Sequence, residues 1–312
     1  MYSEDLTQFQ GFNWPQTEPL FRQMVLDAWD AICLFDITGS LLFASSSHEK
    51  NIGFLPAQVN DLIARVDSEY RVDMRKLFHN AVQIGKKGRL EFRFQILDGS
   101  WLWFETLALP IRDPDGTIYQ VAFMSNDITV KKLQEAKLIA MAYHDPLTGL
   151  PNRRRFKEHL HQEILYAKRT GKMMALLYLD LDDFKIINDT MGHDVGDAFL
   201  QAFSHRVRSC LREVDLFSRM GGDEFTILLP LMDSVQSVET VAKRIFQSIE
   251  EPYQLDGNQF QSSISMGIAL YPTDGEDYSV LLKKVDIALY HVKGKGRNGY
   301  QFYNQEMFMN RK

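Results

Sequence analysis

The sequence predicts an α+β protein of two domains joined by a helix, and three observations carry that reading. The chain has 312 residues, room for two ordinary domains. Its first 129 residues carry short helical segments and then three strand-like runs separated by turns that contain Asp-Gly. After a stretch, 130–143, with neither Gly nor Pro, the second half alternates helical segments with apolar strands and holds a Gly-Gly hairpin signal.

Composition narrows the class. Hydrophobic residues make up 45% of the chain, which is ordinary for a globular protein. The net charge of −6 gives no overall basic field, so no nucleic-acid partner is expected. Cys33 and Cys210 sit in apolar segments; they form neither a disulfide framework nor a metal spacing and read as buried thiols in a reducing compartment. The acidic N-terminus lacks the apolar core of a signal peptide, and no run approaches the ~20 apolar residues of a membrane span. The expectation is a soluble, cytoplasmic chain with no membrane partner.

Taken in order, Leu20, Phe21, Met24, Val25 and Ala28 fall at helical spacing. Residues 31–35 and 41–44 read as strands around a turn. Residues 49–84 read as short helices broken at Gly53, Pro56 and Asp67. Residues 90–97 alternate Phe92, Phe94 and Ile96 with Glu91, Arg93 and Gln95, the period of a half-buried strand. Asp98-Gly99 is a hairpin turn; residues 101–109 and 117–127 complete a meander. The result is a five-stranded antiparallel sheet with helices over residues 1–129. This order, closed by Asp127-Ile128-Thr129, resembles the PAS sensor family. The resemblance implies a small ligand or cofactor between sheet and helices, or a dimerisation module without one; the sequence does not identify a ligand. His48 and His79 are candidate haem ligands or, alternatively, structural and exposed histidines. Trp101, Trp103 and Phe104 line a pocket or belong to the core and a dimer face.

In the linker, 130–143, Leu133, Ala136, Ala140 and Tyr143 form a short a/d stripe. It predicts a parallel two-helix coiled coil across a homodimer, against the alternative of an ordinary amphipathic helix.

The second domain spans 144–312. A helix is expected over 153–169, then an apolar strand over 173–179 ending in Asp180. Asp182 and Asp183 open a short helix that Gly192 stops, and His193 begins another that runs to about residue 213. Apolar runs at 214–217 (with Met220) and 225–229 flank Gly221-Gly222. A helix (234–249), a strand (259–270) and a helix (278–292) follow. The order β-α-α-β-β-α-β-α predicts a mixed sheet flanked by helices.

The chemistry of this domain lies in its polar punctuation. Asp180 ends a strand, and Asp223 and Glu224 sit at a hairpin that can lie beside it. Carboxylates from neighbouring strand ends suit Mg²⁺ (or Mn²⁺), which takes one or two of them with phosphate oxygens and water. The alternatives are a solvated acidic turn and a helix cap by Asp180 or Asp182. The amides of Asp183 and Phe184 open a helix, where anions are favoured, and Lys185 can stabilise charge developing on a phosphate. Lys293 and Arg297, among Gly294 and Gly296, suit terminal phosphates, or else form a solvated basic helix end. The Gly192 break can fold Asn188 and Asp197 together. A carboxylate accepts from the N–H edge of guanine, and adenine has no such edge. Taken singly, Asn188 is a possible C-cap and Asp197 a helix N-terminal acid.

Four segments, in order, resemble the GGDEF family of diguanylate cyclases: Asp145–Arg153 with its Leu-Thr-Gly-Leu, Asp180–Asp197, Arg212–Phe225 with Gly221-Gly222-Asp223-Glu224-Phe225, and Lys293–Asn298. The resemblance implies a fold like the palm of nucleotide cyclases and polymerases. It implies condensation of two GTP into cyclic di-GMP with release of two pyrophosphates, through attack of a ribose 3′-hydroxyl on an α-phosphate, in a homodimer. It places metal on Asp180, the Leu181 carbonyl, Asp223 and Glu224, with Asp223 assisting deprotonation. Guanine falls to Asn188, Asp197 and His193; phosphate to Asp183, Phe184, Lys293 and Arg297. Arg212 and Asp215 match an inhibitory site for the product, with Lys243 or Arg244 as a further basic contact. Two other readings stay open: a catalytically silent GGDEF sensor that binds GTP or cyclic di-GMP, and an enzyme for another nucleotide, against which Asp197 speaks. No Glu-Ala-Leu hydrolase segment is present, so no breakdown of the product is expected.

Overall fold

The computed structural model describes residues 29–255 and 258–308. The helix expected from Leu20, Phe21, Met24, Val25 and Ala28 lies outside them. The chain separates into two compact units with their boundary between Ala136 and Lys137. No helix among the described residues is long and apolar enough to cross a membrane.

The first unit contains β1 (Ala31–Asp36), β2 (Leu41–Ala44), α1 (Ser46–Ile52), α2 (Val59–Arg65), α3 (Arg71–Gln83), β3 (Gly88–Gln95), β4 (Trp101–Arg112) and β5 (Ile118–Asp127). Its antiparallel sheet has the order β2-β1-β5-β4-β3. The alternation seen in the sequence sets the register. Phe92 and Phe94 face inward with Phe35, Phe104 and Phe123, and Phe94 meets Phe104 edge-on at 6.0 Å, a favoured aromatic geometry. The α3 residues Met74, Leu77 and Ala81 cover this face at helical spacing.

Helix α4 (Thr129–Tyr143) follows directly. Its start is fixed within the first unit: the Ile128 amide donates to the Trp103 carbonyl at 2.8 Å and the Trp103 amide donates to Thr129 Oγ1 at 2.8 Å. No residue of α4 is buried.

The second unit contains α5 (Arg153–Thr170), β6 (Met173–Leu181), α6 (Phe184–Met191), α7 (His193–Ser209), β7 (Leu216–Gly221), β8 (Glu224–Met232), α8 (Val235–Glu250), β9 (Tyr253–Leu255), β10 (Asn258–Phe260), β11 (Ile264–Tyr271), α9 (Tyr278–Gly294) and β12 (Gly299–Phe302). The main sheet runs β12-β11-β6-β8-β7. Only the β11–β12 pair is parallel, so the sheet is mixed. Strand β6 is central and buried on both faces, hence its continuous apolar run. Leu177, Leu179 and Leu181 pack with Phe199, Phe203 and the α8 residues Val238 and Ile245 on one face. Leu176 packs with Phe156, Leu160 and Val285 of α5 and α9 on the other. Helix α9 comes so close to β11 that a Cβ on Gly267 would meet the Val285 carbonyl and the Leu289 amide.

Three expectations are corrected in detail, and one further strand was not expected. The strand expected over 259–270 is divided: β10 belongs to a separate ribbon with β9, and β11 begins at Ile264. Helix α7 stops at Ser209 rather than near residue 213, because Cys210 caps it and the chain turns. Val214 is 57% exposed and lies outside β7. Strand β12 has no strong apolar signal and is specified by its pairing with β11.

Candidate active site

The site grows from β6. Period-two alternation sends Tyr178 and Asp180 to the α5–α9 face and Leu177, Leu179 and Leu181 to the opposite core. In the β6–β8 register Asp180 stands opposite Glu224. The Leu181 amide donates to the Asp223 carbonyl at 3.2 Å, which pins the hairpin to the end of β6. Gly221 already pairs with Glu224, so the two-residue loop is Gly222-Asp223, one position later than the sequence suggests. Gly222 has φ +54° and nothing lies within 4 Å of where its Cβ would stand. Its requirement is therefore conformational, not spatial.

Arg219 fixes this turn from below. Its Nε and Nη2 donate to the Gly222 carbonyl at 3.0 and 2.8 Å, and its Nη1 meets Asp145 Oδ1 at 2.9 Å. Asp145 also accepts from the Thr148 amide and hydroxyl. The Arg219 and Asp145 side chains are only 10% and 17% exposed. The entry segment and the hairpin, 74 residues apart, are thus one structure. Asp145 was legible as part of a motif; Arg219 was not, because nothing local marks its partner.

The electrostatics follow from crowding. Lys293 Nζ lies 2.7 Å from Asp180 Oδ2. Burial pushes the Asp180 carboxyl up, Lys293 pulls it down, and Asp223 and Glu224 push it up again. Tyr178 donates its hydroxyl to Glu224 Oε2 at 3.1 Å, a contact the sequence reading missed. The Lys293 ammonium against Asp180 marks a position that favours positive charge. Among the described residues no three His, Cys, Asp or Glu side chains close on one point. Two opposed carboxylates with an open side are a donor set that fits a hard divalent cation completing its shell from phosphate and water.

Asp182 corrects an expectation. It caps nothing: α6 begins at Phe184, with Asp183 as its N-cap in a left-handed conformation at φ +57° and no side-chain cap bond. The buried Asp182 carboxylate instead accepts from the hydroxyls of Ser263 and Ser265, both at 2.7 Å, and from the Asn298 amide at 3.0 Å. It ties the end of β6 to β11 and to the loop that carries Arg297. Arg297 and Asn298 have φ of +65° and +46°, a conformation uncommon for such residues. Arg297 is exposed and Lys293 half-buried.

Phe184 is buried and stacks on Phe199 at 6.2 Å, so only its backbone is left to meet a ligand. Asp183 and Lys185 are exposed beside it. Across the Gly192 break (φ +91°), the Asn188 side chain lies directly against Gly196, where any Cβ would collide with the carboxamide. That brings Asn188 beside the first turn of α7, which carries the exposed His193 and Asp197. Gly196 was missed, although it immediately precedes Asp197.

Arg212 and Asp215 lie at the α7–β7 turn, bonded to each other. The fully buried Asp215 carboxylate accepts from the Arg212 amide at 2.8 Å and from its Nη2 at 2.8 Å. Arg212 Nη2 also reaches the Pro230 carbonyl at 3.2 Å, while the Arg212 side chain remains 48% exposed. Lys243 is paired with Glu239 at 2.8 Å, and Arg244 is exposed.

The first unit encloses a cavity of about 30 Å³, lined by residues that include Cys33, His48, Phe104 and Thr106. That space suits water, not a haem. His48 is buried and its Nδ1 has no hydrogen-bond partner among the described residues; burial lowers its pKa to about 4. His79 is exposed, as is Trp101, while Trp103 is half-buried and Phe104 is core.

A mixed sheet that presents opposed carboxylates, a lysine and a helix N-terminus at one end has the equipment of phosphoryl-transfer chemistry. Residues 142–299 match the family "Diguanylate cyclase, GGDEF domain", about half of the chain, and residues 41–123 match the PAS fold. The chain belongs to the GGDEF family, with a PAS-fold segment ahead of the GGDEF domain. It is 41% identical over 174 residues to the bifunctional diguanylate cyclase/cyclic di-GMP phosphodiesterase MucR of Pseudomonas aeruginosa, covering 56% of this chain and 25% of that protein. It is similar to the solved GGDEF domain of TpbB from P. aeruginosa, with 37% identity and a TM-score of 0.53 over 54% of this chain and 98% of that one. The coiled coil and GGDEF domain of DgcB from Caulobacter crescentus, solved with c-di-GMP, matches at 26% identity and a TM-score of 0.50, over 55% of this chain and 93% of that one. The chain spans 25% of MucR and 38% of full-length TpbB.

Proposed function

We propose that the chain is a diguanylate cyclase. It joins two GTP into cyclic di-GMP and releases two pyrophosphates. The observation that carries this reading is the pairing of Asp180 with Glu224 across β6 and β8, with the Lys293 ammonium 2.7 Å from Asp180 and Asp223 at the adjoining turn. TpbB, a diguanylate cyclase by name, and DgcB, solved with c-di-GMP, support it.

Asn188, Asp197 and His193 hold guanine, with Asp197 accepting from its N–H edge. The amides of Asp183 and Phe184 and the side chains of Lys293 and Arg297 hold the phosphates, with Lys293 leaving Asp180 to do so. Asp180, Asp223, Glu224 and the Leu181 carbonyl would hold Mg²⁺ or Mn²⁺, whose charge would polarise the α-phosphate and ease ionisation of the attacking hydroxyl. Asp223 takes the proton from the 3′-hydroxyl. The new bond joins that oxygen to the α-phosphorus of the other GTP, and the bond to pyrophosphate breaks. Lys185 stabilises the charge that develops. One domain holds one GTP, so two domains must face each other in a homodimer. The domain limits 1–129, 130–143 and 144–312 assign sensing, coupling and synthesis. At the Arg212–Asp215 turn, Asp215 is occupied in orienting the guanidinium, so we assign product binding to Arg212.

The test is incubation of the purified protein with GTP and Mg²⁺, beside Asp223→Ala, with chromatography for the cyclic dinucleotide. Product from the wild type alone is expected. GTP binding without product from either protein would overturn the enzyme reading in favour of a silent sensor.

A further inference from the structure

We infer that Tyr178 is a positioning residue for Glu224, one that sets how tightly the site holds its divalent cation. The inference rests on the cyclase reading above.

Tyr178 and Asp180 are two apart on β6 and share a face. Glu224 is opposite Asp180, and Thr226 is opposite Tyr178. Tyr178 and Glu224 are therefore diagonal neighbours, a relation that a long aromatic side chain can bridge, and the hydroxyl reaches Glu224 Oε2 at 3.1 Å. The ring is anchored: it packs on the core between α5 and α9, where the half-buried Leu216, Met220 and Tyr278 also lie. Glu224, by contrast, is exposed at a hairpin. An anchored phenol thus restrains one oxygen of an exposed carboxylate and leaves the other to meet a cation. Each of the two opposed acids has its own organiser. Lys293 holds Asp180 as a charge that competes with a cation and must leave. Tyr178 holds Glu224 as a neutral donor and can stay when the cation arrives. Partners of metal-ligating carboxylates commonly change metal affinity by about 10-fold or more when removed.

Tyr178→Phe removes only the hydroxyl and keeps the packed ring. The experiment measures Mn²⁺ binding by electron paramagnetic resonance, with unreactive guanosine 5′-[α,β-methylene]triphosphate present. The wild type, Tyr178→Phe, Glu224→Gln and the double variant are compared, together with the Mg²⁺ concentration for half-maximal activity. Tyr178→Phe is expected to need about 10-fold more of either cation, with thermal stability in EDTA unchanged and kcat restored at saturating metal. On the Glu224→Gln background it is expected to add nothing. Wild-type cation affinity in Tyr178→Phe, or an equal loss on both backgrounds, would overturn the inference while leaving the cyclase reading intact. A wild type that makes no cyclic dinucleotide and binds Mn²⁺ no better than Glu224→Gln would overturn both.

Discussion

At the scale of single residues, two positions give sharp predictions. Gly196 lies in a helix, where alanine ordinarily stabilises by about 1 kcal/mol. Its Cβ would collide with the Asn188 carboxamide. The two effects have separate readouts. Gly196→Ala should leave thermal stability nearly unchanged and raise the KM for GTP about tenfold, the worth of one displaced hydrogen bond to the base. Steady-state kinetics and a melting curve on the same sample check this. His48 gives a pH prediction for the first unit. Its folded pKa, about 4, lies below the ordinary 6.5 because burial disfavours the cation. Between those values the unfolded chain binds the proton and the folded one does not. Its contribution is therefore complete above pH 6.5 and is lost as pH falls toward 4, by up to about 3 kcal/mol. Urea titrations of this unit's unfolding at several pH values should show that slope. His48→Gln should flatten it, and an unchanged slope would remove His48 as its cause.

At the scale of elements, the acidic site depends on how the hairpin between β7 and β8 is held. Arg219 binds both the Gly222 carbonyl and Asp145, and it is nearly buried. Arg219→Ala leaves all four residues from Gly221 to Glu224 in place. It should still lower kcat about tenfold or more, because misplacing a catalytic group by a small distance is costly. It should also lower stability by about 3 kcal/mol through the uncompensated Asp145. Calorimetry and turnover measured together test both parts. These ties also show where the sequence was legible and where it was not. Strands with period-two alternation, such as β3 with Phe92 and Phe94, could be read directly, as could glycine turns. The acids at Asp180, Asp223 and Glu224 could be placed because each lies at or beside the end of a recognisable strand. The partners of Asp182 could not: Ser263 and Ser265 lie just before and on a strand 81 to 83 residues later, and a local reading offered a helix cap for an acid that joins two strands. Tyr178 was hidden in the apolar run of β6, where a tyrosine looks like core. Strand β12 was hidden because its pairing, not its composition, makes it a strand.

At the scale of the whole molecule, the question is what α4 is for. Val130, Leu133, Leu138, Ile139 and Met141 are each more than 60% exposed on this helix, and among the described residues of a single chain nothing covers them. Such a run of bare apolar side chains is costly in water unless another surface meets it. The proposed chemistry needs two copies, because each GTP must offer its hydroxyl to the other. A second α4 against the first satisfies both demands. Replacing Leu133 and Ala140 with Glu tests this cleanly, since both positions are exposed in the single chain and Glu is a good helix former. Folding of the protomer should be untouched. Each buried leucine contributes about 2 kcal/mol, and a dimer loses it in both copies. The dimer dissociation constant should therefore rise at least about 100-fold, seen by sedimentation at micromolar protein. Cyclic dinucleotide formation should fall with the dimer fraction and recover at high protein concentration, while GTP affinity per protomer stays the same. Full activity in a chain that sediments as a monomer would break the link between α4 and catalysis, and would move the meeting of the two sites to the GGDEF domains themselves.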